Sequence, residues 1–599
     1  MFNIFLPCIL LLACNTASSQ QVDFEVQFEG PQHQIPPGLV YGLNDLQHTS
    51  QGVWNTWSNA VQPHDAVVRI WVQRYLGTFN KGHIAAAKRA QKAGLGVMLT
   101  VVGVTGDKHD RRPDEARRDI IVPPDNEKWA KEFAKDVRAM IAAGVDVRYV
   151  EIWNEPDMPY QWGGSQEDFG DFFAQTGIAL RKELDNSISI GGPGMASGGT
   201  PGLSYFEVIL DSCKKYKFKP DFLSWHHYSS FATDNEFLDT AGRIHEMCAK
   251  RRLGKPELIL SEWNVSLPRP IAIGMDTNVG AAFWSSMVSS LIQTPTTHAL
   301  YFFLQDGSWE ADDDFAQQSV GAFTLRGAPK ATFSAMKLMA EVTKFSAVPL
   351  QRVDAINNLT CVATRNKDTG HLLLTNANGD ILRVARKYLA ILGMEMSDLR
   401  GKDRLVKSYF LGAKQFSQLG LAGEWQVPLS KTKGLIEKLK KEESDPDRWV
   451  RIHLDSVPKS ILRVRLIDET HGNPIASASF REMFKPYEGG FGRAVLKSSL
   501  EELAKQGVSK SERDALQRAY ESGQRDKQVA GVSAATLASS RAVFLRLLEK
   551  LSFELPAQLA AHPACSAADM AAKDWVKISG DTLLVKLPQH SIVAVELEL

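Results

Sequence analysis

The sequence predicts an α/β protein, a (β/α)8 or TIM barrel followed by an accessory β-sandwich that carries helical insertions. Three observations predict it. Eight short β-rich runs lie between about residues 39 and 304, with amphipathic helical stretches in the gaps. That alternation implies parallel strands joined by crossover helices, and eight units in about 270 residues match the usual barrel length of about 250. Beyond Gly327 the rhythm gives way to alternating strands of the sandwich type. A doubly wound open sheet is the rival, but no Gly-rich phosphate turn follows any run.

In chain order, 1–20 reads as a signal peptide. The apolar stretch 2–13 is too short to span a bilayer, which needs about 20 residues, and has the size of a secretory h-region. Leu11-Leu12-Ala13-Cys14 also resembles a lipobox, which would anchor the chain by lipid at Cys14; a plain secretory peptide is the other reading. Both mean export: secreted, periplasmic or held at the cell surface. No later run reaches transmembrane length. Residues 21–35 contain VDFEVQF (22–28), whose alternation suits a strand joining the sandwich. The barrel is expected over 36–330. Its strands are 39–43 (LVYGL), 66–72, 96–102, 149–153, 188–191, 222–225, 257–260 and 299–304. Its helices include HIAAAKRAQKAG and EKWAKEFAKDVRAMIAAG, which end in Gly as helix C-caps do. The sandwich is expected over 331–599. Residues 359–366 and 371–376 form a hairpin around KDTG, and 449–454, 461–467, 582–586 and 592–597 are further strands. Insertions at about 383–447 and 484–552 read as charged helices with a structural role. Phe544, Leu547, Leu548 and Leu551 sit at helical spacing, as a face packed on the sandwich would.

Composition narrows the function. Lys+Arg and Asp+Glu both number 69, so the formal net charge is zero and nothing suggests a nucleic-acid partner. Of the six Cys, two lie in the leader, and no CxxC spacing suggests zinc. Cys213 and Cys248 could pair, buried thiols being the simpler reading.

The chemistry sits at strand ends, where barrels place their catalytic groups. The fourth run leads into E-I-W-N-E-P-D (151–157) and the seventh into L-I-L-S-E-W-N (258–264). Glu155 and Glu262 thus stand at two strand mouths, 107 residues apart, which is about 36 per β/α unit. Two facing carboxyls are what glycosidic cleavage requires, one protonated to release the leaving oxygen and one ionised to attack. Trp153 beside Glu155 would raise its pKa as suits an acid, and Asn154 can hold a sugar hydroxyl. In S-W-H-H-Y (224–228), period two puts His226 and Tyr228 on one side. Tyr228 and Arg69, on the second strand, would hold Glu262 ionised and aimed. His226 and His227 face opposite ways, so a zinc site with Glu262 fits poorly and no metal or cofactor is expected. Trp309, beyond the eighth strand, is expected to stack on the sugar.

WNEPD, the S-x-H-x-Y spacing, SEWN (261–264) and RLIDETHGNP (465–474) resemble glycoside hydrolase family 39 of clan A, the family of β-xylosidases and α-L-iduronidases. The resemblance implies a retaining hydrolase with Glu155 as acid/base and Glu262 as nucleophile, acting on a carbohydrate. The longer insertions and the eighth run, YFFLQDGSW, depart from the family's pattern, so family 86 β-agarases and porphyranases are a related alternative. A non-catalytic carbohydrate-binding barrel is the alternative from another class. It is disfavoured by the presence of both Glu.

Overall fold

The computed structural model describes residues 22–599 apart from 75–78, 104–121, 159–160, 199, 229–233, 266–274, 308–319, 354–358, 378–384, 386–387, 390–391, 393, 395–402, 411, 444–447, 488–490 and 522–527. The proposed leader and Trp309 lie outside the described residues.

Eight parallel strands close into a barrel: Leu43–Asp45, Val67–Gln73, Gly96–Val102, Val147–Ile152, Ser189–Met195, Phe222–Tyr228, Glu257–Asn264 and His298–Tyr301, here barrel strands one to eight. Strand one closes the ring, with Leu43 opposite both Val68 and Tyr301. The first expected run is corrected. Most of LVYGL is a short helix, Pro37–Tyr41, and the strand begins at Leu43. Pro37 at the first helical position has its φ preset for a helix, and the apolar side chains of Leu39, Val40 and Tyr41 bury as well on a helical turn as on a strand. The expected crossover helices are present, and Gln51–Val61 and Thr200–Tyr216 join them. The last barrel helix, Ala331–Thr343, lies wholly beyond the boundary anticipated at 330.

Alternation along the strands stacks the barrel interior in layers. Val67, Met98, Tyr149, Phe222, Ile259 and Leu300 form an apolar floor. Two residues further along their strands, Arg69, Thr100, Glu151 and Ser224 form a polar layer that is wholly buried. The mouth lies above it.

Two sheets form a sandwich beside the barrel. Phe24–Val26 lies in the five-stranded sheet between Leu350–Arg352 and Trp449–Leu454. In the six-stranded sheet Leu359–Asn366, Thr369–Asn376, Ser591–Glu598 and Ser460–Ile467 are consecutive neighbours. This second sheet is buried on both faces. Leu372, Leu374, Val593 and Val595 point into the sandwich core, while Leu373, Ile592 and Ala594 join the barrel's core. Its barrel face meets helices Asn278–Ile292 and Ala331–Thr343, where Ser285 Oγ lies 2.7 Å from Thr375 Oγ1 and Thr364 Oγ1 donates to the Val342 carbonyl at 2.9 Å. Helix Asn278–Ile292 is therefore buried along its whole length and is apolar or small-polar all round.

The insertions build cores of their own. Leu389, Val406, Phe410, Trp425, Leu429 and Ile436 make one in the first. In the second, Phe544, Leu547, Leu548 and Leu551 pack on Val495 and Leu496 of helix Phe491–Lys505, not on the sandwich as expected. The far end of their helix, Ala534–Ala560, lies against barrel helix Gln51–Val61 instead. A Cβ on Gly52 would stand 2.5 Å from the Ser552 carbonyl oxygen, so this contact needs glycine. Cys213, Cys248, Cys361 and Cys565 are all buried free thiols.

One buried ion triad ties the barrel's last segments together. Lys330 Nζ lies 2.6 Å from Asp276 and 2.7 Å from Asp306, all three with essentially no exposure. The two carboxylates outweigh the burial that disfavours the ammonium and hold its pKa above the ordinary value. Lys330→Ala would strand two buried carboxylates and is expected to cost about 3–5 kcal/mol, read as a fall in the urea midpoint; an unchanged midpoint would contradict the account.

Candidate active site

Arg69 stands at the centre of the barrel mouth's floor. Its Nε donates to Glu151 Oε2 at 2.6 Å, Nη1 to Glu262 Oε2 at 2.9 Å and Nη2 to Asn154 Oδ1 at 2.7 Å. Its guanidinium also lies 4.5 Å from the centroid of the Trp71 ring. Tyr228 donates its hydroxyl to the other oxygen of Glu262, Oε1. Across the mouth, Glu155 Oε1 is 2.9 Å from Nδ1 of His226. An oxygen of Glu155, a ring nitrogen of His226 and an oxygen of Glu262 all lie within 4.8 Å of one another. The structure thus brings together Arg69, Asn154, Glu155, His226, Tyr228 and Glu262 from strands two, four, six and seven. The three mutually close groups could in principle share a cation, but Arg69 and Tyr228 already donate to the Glu262 oxygens.

Local departures from regular strand geometry aim these side chains. On strand seven, Trp225 is opposite Leu260 but His226 is opposite Glu262, so Ser261 is an extra residue and the strand bulges there. Strict alternation from Ile259 would turn Glu262 away from the interior; the bulge returns it to the mouth. After strand four, Trp153 and Glu155 have φ values of 78° and 49°, in the left-handed region that side chains rarely adopt. Those turns break the alternation, so Glu151 and Asn154 both reach Arg69. The Trp153 ring packs with Trp129, Trp162 and Phe172 in the helical layer, and its Nε1 donates to the Gln161 carbonyl. The apolar neighbour expected against the Glu155 carboxyl therefore belongs to the packing behind it. Strand five supplies room. A Cβ on Gly194 would lie 2.9 Å from His226 Nε2 and 3.3 Å from both Arg69 Nη2 and Glu151 Oε1.

The charges are strongly interdependent. Burial pushes the Glu262 carboxyl above its usual range and Glu155 adds to this, while His226, Arg69 and Tyr228 pull it down without cancelling the rise. Burial also acts on Glu151, but Arg69, His226, Ser224 and Thr100 outweigh it and hold that carboxyl below its usual range. Burial disfavours a charged His226, yet Glu262 and Glu155 prevail and raise its pKa. Burial and Glu262 push the Tyr228 hydroxyl well up, so it remains a donor. Asn154 is 1% exposed, and its Nδ2 has no partner among the described residues, a donor suited to a ligand oxygen.

Sequence reasoning missed Glu151. Its signal was a carboxylate inside a buried parallel strand, two strands from a similarly buried Arg69, which in low dielectric requires a counter-ion. It also missed Trp71 and Phe302, rings 6.4 Å apart; Phe302 is a further 6.4 Å from the Tyr228 ring.

Residues 119–382 match the family described as Glycosyl hydrolases family 39. Among solved structures, the fold is similar to that of a GH39 enzyme from Xanthomonas axonopodis pv. citri, at 14% identity and TM-score 0.53, covering 96% of this chain and 97% of that one. It is also similar to a monomeric beta-xylosidase from Caulobacter crescentus CB15, at 15% identity and TM-score 0.53, covering 96% of this chain and 99% of that one.

The competing influences on Glu262 are separable by NMR titration of carbon-13-labelled glutamate. Its midpoint is expected above the ordinary value of about 4.3, and Arg69→Met, which removes a cation favouring the anion, should raise it further. A lower midpoint in the variant would contradict the assigned causes.

Proposed function

Because this chain is a glycoside hydrolase with a family 39 domain, we propose that it is an exported, retaining enzyme that cleaves an oligosaccharide or polysaccharide in the manner of a β-xylosidase. The observation that carries the mechanism is the approach of Glu155 and Glu262 oxygens to within 4.8 Å across the mouth. Retaining enzymes keep their two carboxyls about 5–5.5 Å apart, whereas inverting ones need about 6.5–9.5 Å to admit a water.

In this reading Glu262 attacks the anomeric carbon. Tyr228 and Arg69 each donate to one of its oxygens, which fixes the carboxylate's plane. As the glycosidic bond breaks, the proton on Glu155 passes to the leaving oxygen. Water then attacks the glycosyl-enzyme, gives its proton to Glu155 and frees Glu262 with the original anomeric configuration. His226 steers Glu155 through their hydrogen bond. Asn154 Nδ2 meets a sugar hydroxyl beside the reacting carbon, and Trp71 and Phe302 offer aromatic surface. Trp309 is retained as a candidate stacking residue. The apolar run at 2–13 supports export, and N-terminal sequencing of the mature protein would distinguish a plain secretory cleavage from lipid attachment at Cys14.

A panel of aryl glycosides tests the reading. An aryl β-xyloside should be turned over, with the first product seen by NMR as the retained anomer. A 2-fluoro-sugar inactivator should label Glu262. Glu155→Ala should lose most kcat/KM on poor leaving groups and little on good ones, while its kcat on good ones falls because the second step lacks its base, and added azide should restore it. An inverted first product, or the label on another peptide, would overturn the mechanism; turnover of other glycosides alone would overturn the sugar.

A further inference from the structure

We propose that Glu151 is a positioning residue that orients Arg69 and shares its charge, and so sets the pH below which Glu262 is lost as a nucleophile. The proposal rests on the reading of Glu262 given above. Glu151 is wholly buried one layer beneath the mouth. Its Oε2 accepts from Arg69 Nε at 2.6 Å and from Thr100 Oγ1 at 2.7 Å, and its Oε1 accepts from Ser224 Oγ at 2.6 Å. Ser224 is held in turn, since its Oγ accepts from the Gly194 amide at 2.8 Å. A guanidinium is a rigid plane, so fixing Nε also fixes where Nη1 and Nη2 point. Those two atoms hold Glu262 and Asn154. The position of Glu151 is thereby transmitted to the nucleophile and to the residue beside Glu155.

The charge is transmitted as well. Glu262 faces Arg69 from strand two, Glu155 from the segment after strand four, and His226 and Tyr228 from strand six, with Glu151 behind Arg69. Glu262 alone would suffice as a counter-ion for Arg69. A second carboxylate draws on the same cation and leaves Glu262 a less stabilised, and so more reactive, anion.

The two contributions separate by substitution. Glu151→Gln keeps the shape and removes the charge, so Arg69 acts undivided on Glu262, which then ionises more readily. The acid limb of kcat/KM should move to lower pH, and kcat at the optimum should fall. Glu151→Asp keeps the charge but is one methylene short of its three donors. Its acid limb should stay in place while kcat falls by as much as about 100-fold through misplacement. The experiment is the pH profile of kcat and kcat/KM for the full chain and both variants on the best aryl glycoside. Superimposable acid limbs for wild type and Glu151→Gln would overturn the proposal. If that variant fails to fold by near-ultraviolet circular dichroism, Ser224→Ala decides, since it removes one donor without stranding a charge. A several-fold lower kcat at unchanged KM supports the positioning role, and unchanged kcat overturns it. Absence of any wild-type turnover would instead overturn the glycosidase reading beneath it.

Discussion

A single buried guanidinium, that of Arg69, organises the mouth of the barrel. Taking a charge out of water costs several kcal/mol even after relaxation, and the interior must return that in well-formed contacts. Here the return comes from four acceptors: Glu151 and Thr100 at Nε, Glu262 at Nη1 and Asn154 at Nη2. Every guanidinium nitrogen is satisfied, so the geometry of the fork becomes the geometry of the site. Two carboxylates on one guanidinium leave an excess of negative charge. The raised pKa of His226, which lies against Glu155, is the site's answer to that excess. The charges of strands two, four, six and seven thus form one network, and changing any member alters the ionisation of the others.

The barrel can hold such a network because its lower layer is so plain. Val67, Met98, Tyr149, Phe222, Ile259 and Leu300 close the floor with apolar surface, and polar residues begin only one repeat higher. Irregular backbone shapes the mouth. The bulge at Ser261, the left-handed turns at Trp153 and Glu155, and the space kept by Gly194 all lie within reach of the same few side chains. Each gives up local regularity, and each re-aims a group that ideal alternation would have pointed elsewhere.

The sandwich supports the site from outside. Its six-stranded sheet is buried on both faces, so it serves as a core for the sandwich and as a cover for two barrel helices at once. The Lys330 triad anchors the segment after strand eight and the start of helix Asn278–Ile292 on the same side. The helical insertions add cores of their own, and the long helix Ala534–Ala560 reaches back to the barrel.

What the sequence determined by itself was whatever depends on near neighbours in the chain. Buried parallel strands are short apolar runs between helices with period 3.6, so the barrel was legible, as was the hairpin around KDTG. Glu155, Glu262 and Asn154 were legible because a strand's end is a local feature and barrel chemistry is found there. His226 and Tyr228 followed from period two. Tertiary structure decided everything that turns on which face meets which. The apolar run at 39–43 satisfied helix and strand equally, and Pro37 with its packing chose the helix. Trp153 left the Glu155 carboxyl because a positive φ broke the alternation. The Phe544 face met its own insertion because contact partners are not encoded in periodicity. Glu151 had meaning only once Arg69, 82 residues earlier in the chain, lay 2.6 Å away. A charge in a low-dielectric interior is defined by its partner, and only the folded chain brings that partner into reach.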